Sequence, residues 1–211
     1  MITFIEFISS ISIGYLFGCF QTSFFISKII LKKDIRELGS GNAGASNVTS
    51  ELGWKFGIIT GILDILKAFS PAILIIYIFP NSLFHNDLSV IAGSCAVLGH
   101  IYPFFLGFKG GKGVASYIGL LFALSWQFGV AAIFGLIILT IITDHVFIGS
   151  ILLYLIIPFF VFFFSDYSFI VLLCTLILCL IGILKHWVNI IRYIHGEETG
   201  LRSVYNKNKS K

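Results

Sequence analysis

The chain has 211 residues, of which 57% are hydrophobic and only 11% charged, with a formal net charge of +4. Soluble domains carry about 25% charged residues, so a water-soluble globular protein is excluded and lipid is the expected solvent for most of the chain. The length allows a single domain, read as a membrane-embedded body over 1–200 followed by a basic tail over 201–211.

The first apolar run extends from about Ile2 to Leu31, beyond the roughly 20 residues that a transmembrane helix needs. It has no Lys or Arg before it, carries Glu6 and lacks a small-x-small cleavage site. It is therefore expected to stay as a membrane helix and not to be removed as a signal peptide. A polar stretch follows from Lys32 to Lys55, then a second run from Phe56 to Phe79 that ends at Pro80-Asn81. The third run, Leu88 to Phe108, is interrupted by Gly99, His100 and Pro103. Between Lys112 and Asp144 the chain is uncharged and long enough for two short or tilted helices, with a break predicted near Ser125-Trp126-Gln127. Two further runs, Val146 to Phe164 and Phe169 to Lys185, complete an all-α integral membrane protein of about seven transmembrane helices.

Charge orients this bundle. Of the fourteen Lys and Arg, all but Lys67 fall in segments on one side, from Lys28, Lys32, Lys33, Arg36 and Lys55 through Lys109, Lys112, Lys185 and Arg192 to Arg202, Lys207, Lys209 and Lys211. The opposite loops, near 80–87, 125–127 and 165–168, hold none. The positive-inside rule makes the basic side cytoplasmic, placing the N-terminus outside and the C-terminus inside, as an odd helix count requires.

Several features read most simply as packing. The four cysteines lie in apolar stretches without CxxC spacing, which predicts buried thiols and neither a metal site nor a disulfide framework. Gly14-xxx-Gly18 and Gly57-xxx-Gly61 predict close helix contacts. Asp64 and Lys67 share one helix face, as an intramembrane ion pair or as a substrate contact. The run Asn206 to Lys211 is expected to fray.

Three segments on the basic side are unlike membrane packing. In Asp34-Ile-Arg-Glu-Leu-Gly-Ser-Gly-Asn-Ala-Gly-Ala-Ser-Asn47, Gly39, Gly41 and Gly44 allow the backbone to turn successive N–H groups toward one anion. Ser40, Asn42, Ser46 and Asn47 add side-chain hydrogen bonds, and Arg36 adds fixed charge. In Phe108-Lys-Gly-Gly-Lys-Gly-Val-Ala115, Lys109 and Lys112 stand among Gly110, Gly111 and Gly113 ahead of an apolar helix, a combination suited to phosphate. It is not a Walker A loop, because Leu106 stands where the first glycine belongs and Gly113 replaces Ser or Thr. In the third segment, His186, Asn189 and Arg192 form a polar strip at the end of the last span, followed by Gly196-Glu-Glu198, with Trp187 as an interfacial anchor. No HExxH or other ligand cluster predicts a metal.

Taken in order, Gly39-Ser-Gly-Asn-Ala-Gly-Ala-Ser-Asn-Val48, Gly99-His…Pro103…Phe108-Lys-Gly-Gly-Lys-Gly-Val-Ala115 and His186-xx-Asn-Ile-x-Arg192…Gly196-x-Glu198 resemble the three signature motifs of the bacterial acyl-phosphate-dependent glycerol-3-phosphate acyltransferases. The resemblance runs from about Ile13 to Glu198 and includes Asp34-Ile-Arg36 and Asp64-Ile-Leu-Lys67. It implies seven membrane helices with cytoplasmic active-site loops, transfer of a fatty acyl group from acyl phosphate to glycerol 3-phosphate, and neither metal nor cofactor. Membrane lipids are the other expected partner, and nucleic acid is not one.

On that resemblance Ser40, Asn42, Lys109, Lys112, His186 and Asn189 are the catalytic candidates, with Arg36, Gly39, Gly41, Asn47, Gly110, Gly111, Gly113, Arg192 and Glu198 holding phosphate or substrate. The proton of the glycerol hydroxyl would pass to His186 or to a substrate phosphate. Four departures from the family pattern stand out. Ser50 and Asp144 stand where arginine is usual, Phe147 where serine is usual, and Gly-Ser-Ile-Pro of the first helix reads Gly18-Cys-Phe-Gln21. A less cationic site leaves open a relative that acylates another acceptor or only binds anionic lipid. A small anion transporter would show matching interrupted halves, and the motifs do not repeat.

Overall fold

The computed structural model describes residues 2–164 and 166–209, leaving Lys211 of the basic side, Ser210 of the tail and Ser165 of the 165–168 loop outside the described residues. Regular structure among the described residues is helical throughout. The chain forms two compact units, Met1–Gly129 and Val130–Lys211.

In the first unit α1 (Phe4–Cys19) opens with a capping box. The Thr3 hydroxyl accepts the Glu6 amide at 3.3 Å, and the Glu6 carboxylate accepts the Thr3 N–H at 2.7 Å. Glu6, an odd residue in an apolar run, is thus spent on starting the helix. The run then breaks at Phe20-Gln21 and resumes as α2 (Thr22–Leu31), so the first span is one broken stretch, Phe4–Leu31. The polar segment contains a short 3-10 turn at Ile35–Glu37 and α3 (Ala45–Leu52). After these come α4 (Trp54–Ile78), α5 (His85–Ile101), a 3-10 turn at Phe104–Leu106, α6 (Val114–Leu124) and α7 (Trp126–Thr143). The break predicted near 125–127 falls at Ser125, between α6 and α7.

Glycine and alanine let these helices touch backbone to backbone. Gly14 and Gly18 of α1 lie against the carbonyls of Ala92 and Ala96 of α5, where any Cβ would overlap them. Gly119 of α6 meets α4 at Ile65 and Ala68 in the same way. In membranes such contacts supply the packing that the hydrophobic effect does not. Of the second predicted pair, Gly57 rests on Thr49 of α3, whereas a Cβ at Gly61 would make only an ordinary 3.8 Å contact with Ala45.

The second unit contains the rest of α7, α8 (Val146–Phe164), α9 (Phe169–Lys185), α10 (Trp187–Ile194) and α11 (Leu201–Lys209). α9 and α10 are bent by 41° at His186. The tail expected to fray is helical over α11, because Asp144 fixes its first turn. The Asp144 carbonyl accepts the Leu201 N–H at 2.7 Å, and Oδ1 accepts the Arg202 N–H at 2.9 Å.

Among the described residues five stretches are long and apolar enough to cross a bilayer, and the bent α9–α10 pair makes a sixth. α6, the remaining apolar segment, has 11 residues and rises only about 16 Å against a hydrocarbon core of about 30 Å. Large apolar side chains stay exposed along the helices, Phe162 and Ile142 among them, as lipid-facing surfaces require. No disulfide joins the four cysteines. Cys19 and Cys179 are buried, and Cys95 and Cys174 are half-buried.

Substituting Gly18→Val should drive a branched side chain into the Ala96 carbonyl and destabilise the protein by about 1–3 kcal/mol. Gly61→Ala should be neutral or stabilising. Thermal midpoints of the purified protein in detergent compare the two, and equal midpoints would contradict the close α1–α5 contact.

Candidate active site

The first unit builds a double loop from the first two motifs. Gly39 (φ +53°) and Gly41 (φ +73°) take the left-handed backbone that the turn requires. At Gly39 a side chain would also strike Asn47 and Glu51. Asn47, expected to contact phosphate, is buried and turns inward. Its Oδ1 accepts the Ser40 N–H at 3.0 Å, and its Nδ2 donates to the carbonyls of Leu38, Asn42 and Ile35 at 3.0–3.1 Å. With its polar atoms committed, Asn47 is a staple that shapes the loop and not a ligand. The same bonding corrects the expectation of amides converging on one anion. The N–H groups of Ser40, Gly41 and Gly44 are satisfied by Asn47 Oδ1, the Leu38 carbonyl and the Asn42 carbonyl. The loop therefore presents side chains, with Ser40 exposed and Asn42 half-exposed.

Arg36 joins the two loops. Its guanidinium forks onto Asp34, with Nε to Oδ1 at 3.1 Å and Nη2 to Oδ2 at 2.7 Å. Nη1 donates to the carbonyls of Leu106 and Lys109 at 2.8 and 3.3 Å. Arg36 thus clamps the second loop to the first, and Asp34 offsets much of the charge it was expected to offer a substrate. Hydrogen bonding from Arg36 holds the Asp34 carboxyl below its ordinary value, and the same bond pushes the guanidinium up.

In the second loop Lys109 is exposed and Lys112 half-buried. The amides of Gly110 and Gly111 donate back to the carbonyls of Ile101 and His100, each at 3.1 Å. Gly111 is buried between the His100 ring and the Ala43 carbonyl, with no room for a Cβ. Gly113 caps α6 directly after Lys112, so the lysine stands at a helix N-terminus. Cationic side chains and a polar loop are thereby brought to one place.

The second unit carries the third motif. His186, at the α9–α10 bend, is buried, and its Nδ1 lies 2.8 Å from the Gly182 carbonyl. A carbonyl only accepts, so Nδ1 carries a proton and donates it to Gly182. Asn189 donates to Glu198 Oε1 at 2.6 Å, and the Glu197 N–H returns to the Arg192 carbonyl at 2.8 Å. Glu198, expected to contact substrate, thus also orients Asn189. Arg192 is half-exposed.

These sequence and structural features coincide with known proteins. A family model described as glycerol-3-phosphate acyltransferase matches residues 8–196. The chain belongs to the glycerol-3-phosphate acyltransferase family. A glycerol-3-phosphate acyltransferase of Endomicrobium trichonymphae is 41% identical over 194 residues, covering 91% of this chain and 94% of that protein. One from Prochlorococcus marinus is 37% identical over 187 residues, covering 88% and 93%. Among solved structures, PlsY (YgiH), an integral membrane glycerol 3-phosphate acyltransferase, is similar in its glycerol 3-phosphate form, with a TM-score of 0.83 and 33% identity over 92% of this chain and 95% of that one. Its lysophosphatidic acid form gives a TM-score of 0.78. The chain is accordingly a membrane acyltransferase of phospholipid synthesis.

Against the family pattern, the departures have local uses. Asp144 caps α11, and Phe147 packs on Tyr193 with ring centroids 5.5 Å apart. Gln21 is wholly buried with Nε2 3.1 Å from the His100 carbonyl. Ser50 lies beside Glu51. Sequence reading missed Glu51 against Gly39 and the α3 helix, for which Gly44 and Gly53 at its two ends were the available signals.

Because the Asp34 carboxyl is held below its ordinary value, the clamp is complete above the usual carboxylate range and is lost only as pH falls through the depressed value. The thermal midpoint of the parent should exceed that of Asp34→Asn from pH ~8 down to ~4 and converge with it below that. Convergence already at pH ~6 would contradict the clamp. Asn47→Asp keeps the acceptor and loses the donors, and should cut kcat/KM at least ~10-fold, about 1.4 kcal/mol of transition-state stabilisation.

Proposed function

We propose that the protein transfers a fatty acyl group from acyl phosphate to the 1-hydroxyl of glycerol 3-phosphate, releasing phosphate and 1-acylglycerol 3-phosphate. The reading rests on one arrangement above others: Ser40, Asn42, Lys109 and Lys112 are presented on two loops that Arg36 locks together. It is supported by the likeness to PlsY, solved in a glycerol 3-phosphate form and a lysophosphatidic acid form.

Both substrates carry phosphate and repel each other unless cations lie between them. Lys109 and Lys112 fill that role. The glycerol oxygen attacks the acyl carbonyl carbon, and the bond from that carbon to the bridging phosphate oxygen breaks. The hydroxyl proton passes to a phosphate oxygen of the substrates. Ser40 and Asn42 donate hydrogen bonds to the acyl carbonyl or its neighbouring phosphate. Acyl phosphate is a mixed anhydride with a good leaving group, so positioning and charge stabilisation carry the reaction without a covalent enzyme intermediate. The distribution of basic residues supports a multi-pass protein of a bacterial inner membrane, N-terminus outside and reacting loops cytoplasmic.

A second reading, an acceptor other than glycerol 3-phosphate, is favoured by Asp144. Its carboxylate is committed to α11 where the family pattern has arginine. Asp144→Arg would uncap α11, so Ser50→Arg is the cleaner probe; a gain of transfer confined to glycerol 3-phosphate would support that second reading.

Purified protein in detergent or vesicles should convert acyl phosphate and glycerol 3-phosphate to 1-acylglycerol 3-phosphate. Lys112→Ala should lower that rate at least ~100-fold, about 2.7 kcal/mol, while membrane insertion is unchanged. A parent protein inactive beside an active relative would overturn the proposal.

A further inference from the structure

The catalytic reading leaves one costly feature unused. Asp64, Lys67 and His100 are almost completely inaccessible, inside the membrane-spanning part of the first unit. Charges in such places are retained where they hold structure or serve function, and their contacts lead in one direction. Lys67 Nζ lies 2.8 Å from Asp64 Oδ1 and donates at 2.8 Å to the carbonyl of Phe20, in the break between α1 and α2. The Thr22 hydroxyl donates to the same Asp64 oxygen at 3.1 Å. The pair therefore ties the restart of the broken helix to α4.

The fourth member faces the loop. His100 Nδ1 is 3.7 Å from Asp64 Oδ1, in contact but too far for a hydrogen bond. The opposite edge of the ring, at Nε2, lies against Gly111, and the His100 carbonyl accepts the Gly111 N–H at 3.1 Å. Gln21, also buried, donates to that carbonyl from the other side at 3.1 Å. Gly111 in turn abuts the Ala43 carbonyl of the first loop. A single imidazole thus separates the ion pair from the glycine held between Lys109 and Lys112.

We propose that Asp64, Lys67 and His100 are positioning residues: the buried pair orients the His100 ring, and the ring sets the seat of Gly111 and so the placement of Lys109 and Lys112 for acyl transfer. This inference rests on the acyltransferase reading for its rate measurement, but its geometry stands apart from it. Replacing a buried ion pair by apolar residues of similar size is often tolerated by a fold, which gives the test its leverage.

The experiment compares the parent with Asp64→Leu/Lys67→Met, Lys67→Met, Lys67→Arg, His100→Ala and Thr22→Val. For each, the thermal midpoint, the specific activity of the folded fraction, and the separate kcat and KM for acyl phosphate and glycerol 3-phosphate are measured in the same vesicles. The double variant should keep a near-parental midpoint yet lose at least tenfold in kcat/KM. His100→Ala should lose as much, and Thr22→Val, which removes one hydroxyl, about threefold. Lys67→Arg, which preserves the charge, should recover most of the rate lost in Lys67→Met.

Folded protein with parental specific activity in the double variant and in His100→Ala would overturn the proposal, whatever happens to the midpoint. Should the double variant not fold, Thr22→Val and His100→Ala decide by the same criterion. If the parent itself fails to turn over acyl phosphate, the acyltransferase reading falls separately. Titration of inorganic phosphate into the same variants then decides, with binding weakened tenfold expected and unchanged binding overturning the inference.

Discussion

Hydrocarbon offers a backbone nothing to bond with, so any break in a membrane helix must be answered by another group of the protein. In this chain α1 stops at Cys19 and α2 begins at Thr22, and the exposed Phe20 carbonyl is met by the ammonium of Lys67. Lys67 is tolerated at that depth because Asp64 stands 2.8 Å away. Much of the first unit depends on this exchange. It allows the broken helix to lie against α5 by its glycines, and α5 delivers His100 and the second loop.

The loops themselves are built by side chains that substitute for backbone. Asn47 bonds four parts of its own loop, and Arg36 bonds carbonyls of the other. Such cross-linking fixes a polar segment with no ladder of its own. It also separates residues that shape the site, such as Asn47 and Arg36, from those left facing outward, such as Ser40 and Lys109. In the second unit Glu198 serves Asn189 in the same supporting capacity.

The helical architecture was legible because hydropathy runs map directly onto membrane helices. The limits of α8 and α9 coincide with their apolar runs, and the uncharged stretch before Asp144 does divide near Ser125. Individual polar roles were less legible. A sequence reveals that Asn47, Arg36 and Glu198 are unusual in their setting, but not whether they turn toward a substrate or toward their own backbone. That distinction depends on which carbonyls the fold leaves unbonded, a non-local property. α11 was missed for a related reason. The polar tail has little apolar patterning to signal a helix, and its start is secured by Asp144, 58 residues before Arg202.

That separation has a consequence for the order in which the molecule is completed. Asp144 takes a left-handed backbone angle, φ 66°, which costs a side-chain-bearing residue energy that local contacts must offset. The groups bonded to its carbonyl and carboxylate belong to Leu201 and Arg202, which are synthesised after the whole of α8, α9 and α10. During synthesis the turn between α7 and α8 must wait for them, with its acceptors in water. α11 therefore acts as a stitch across the second unit, and removing it would leave the third motif beside an unfinished turn.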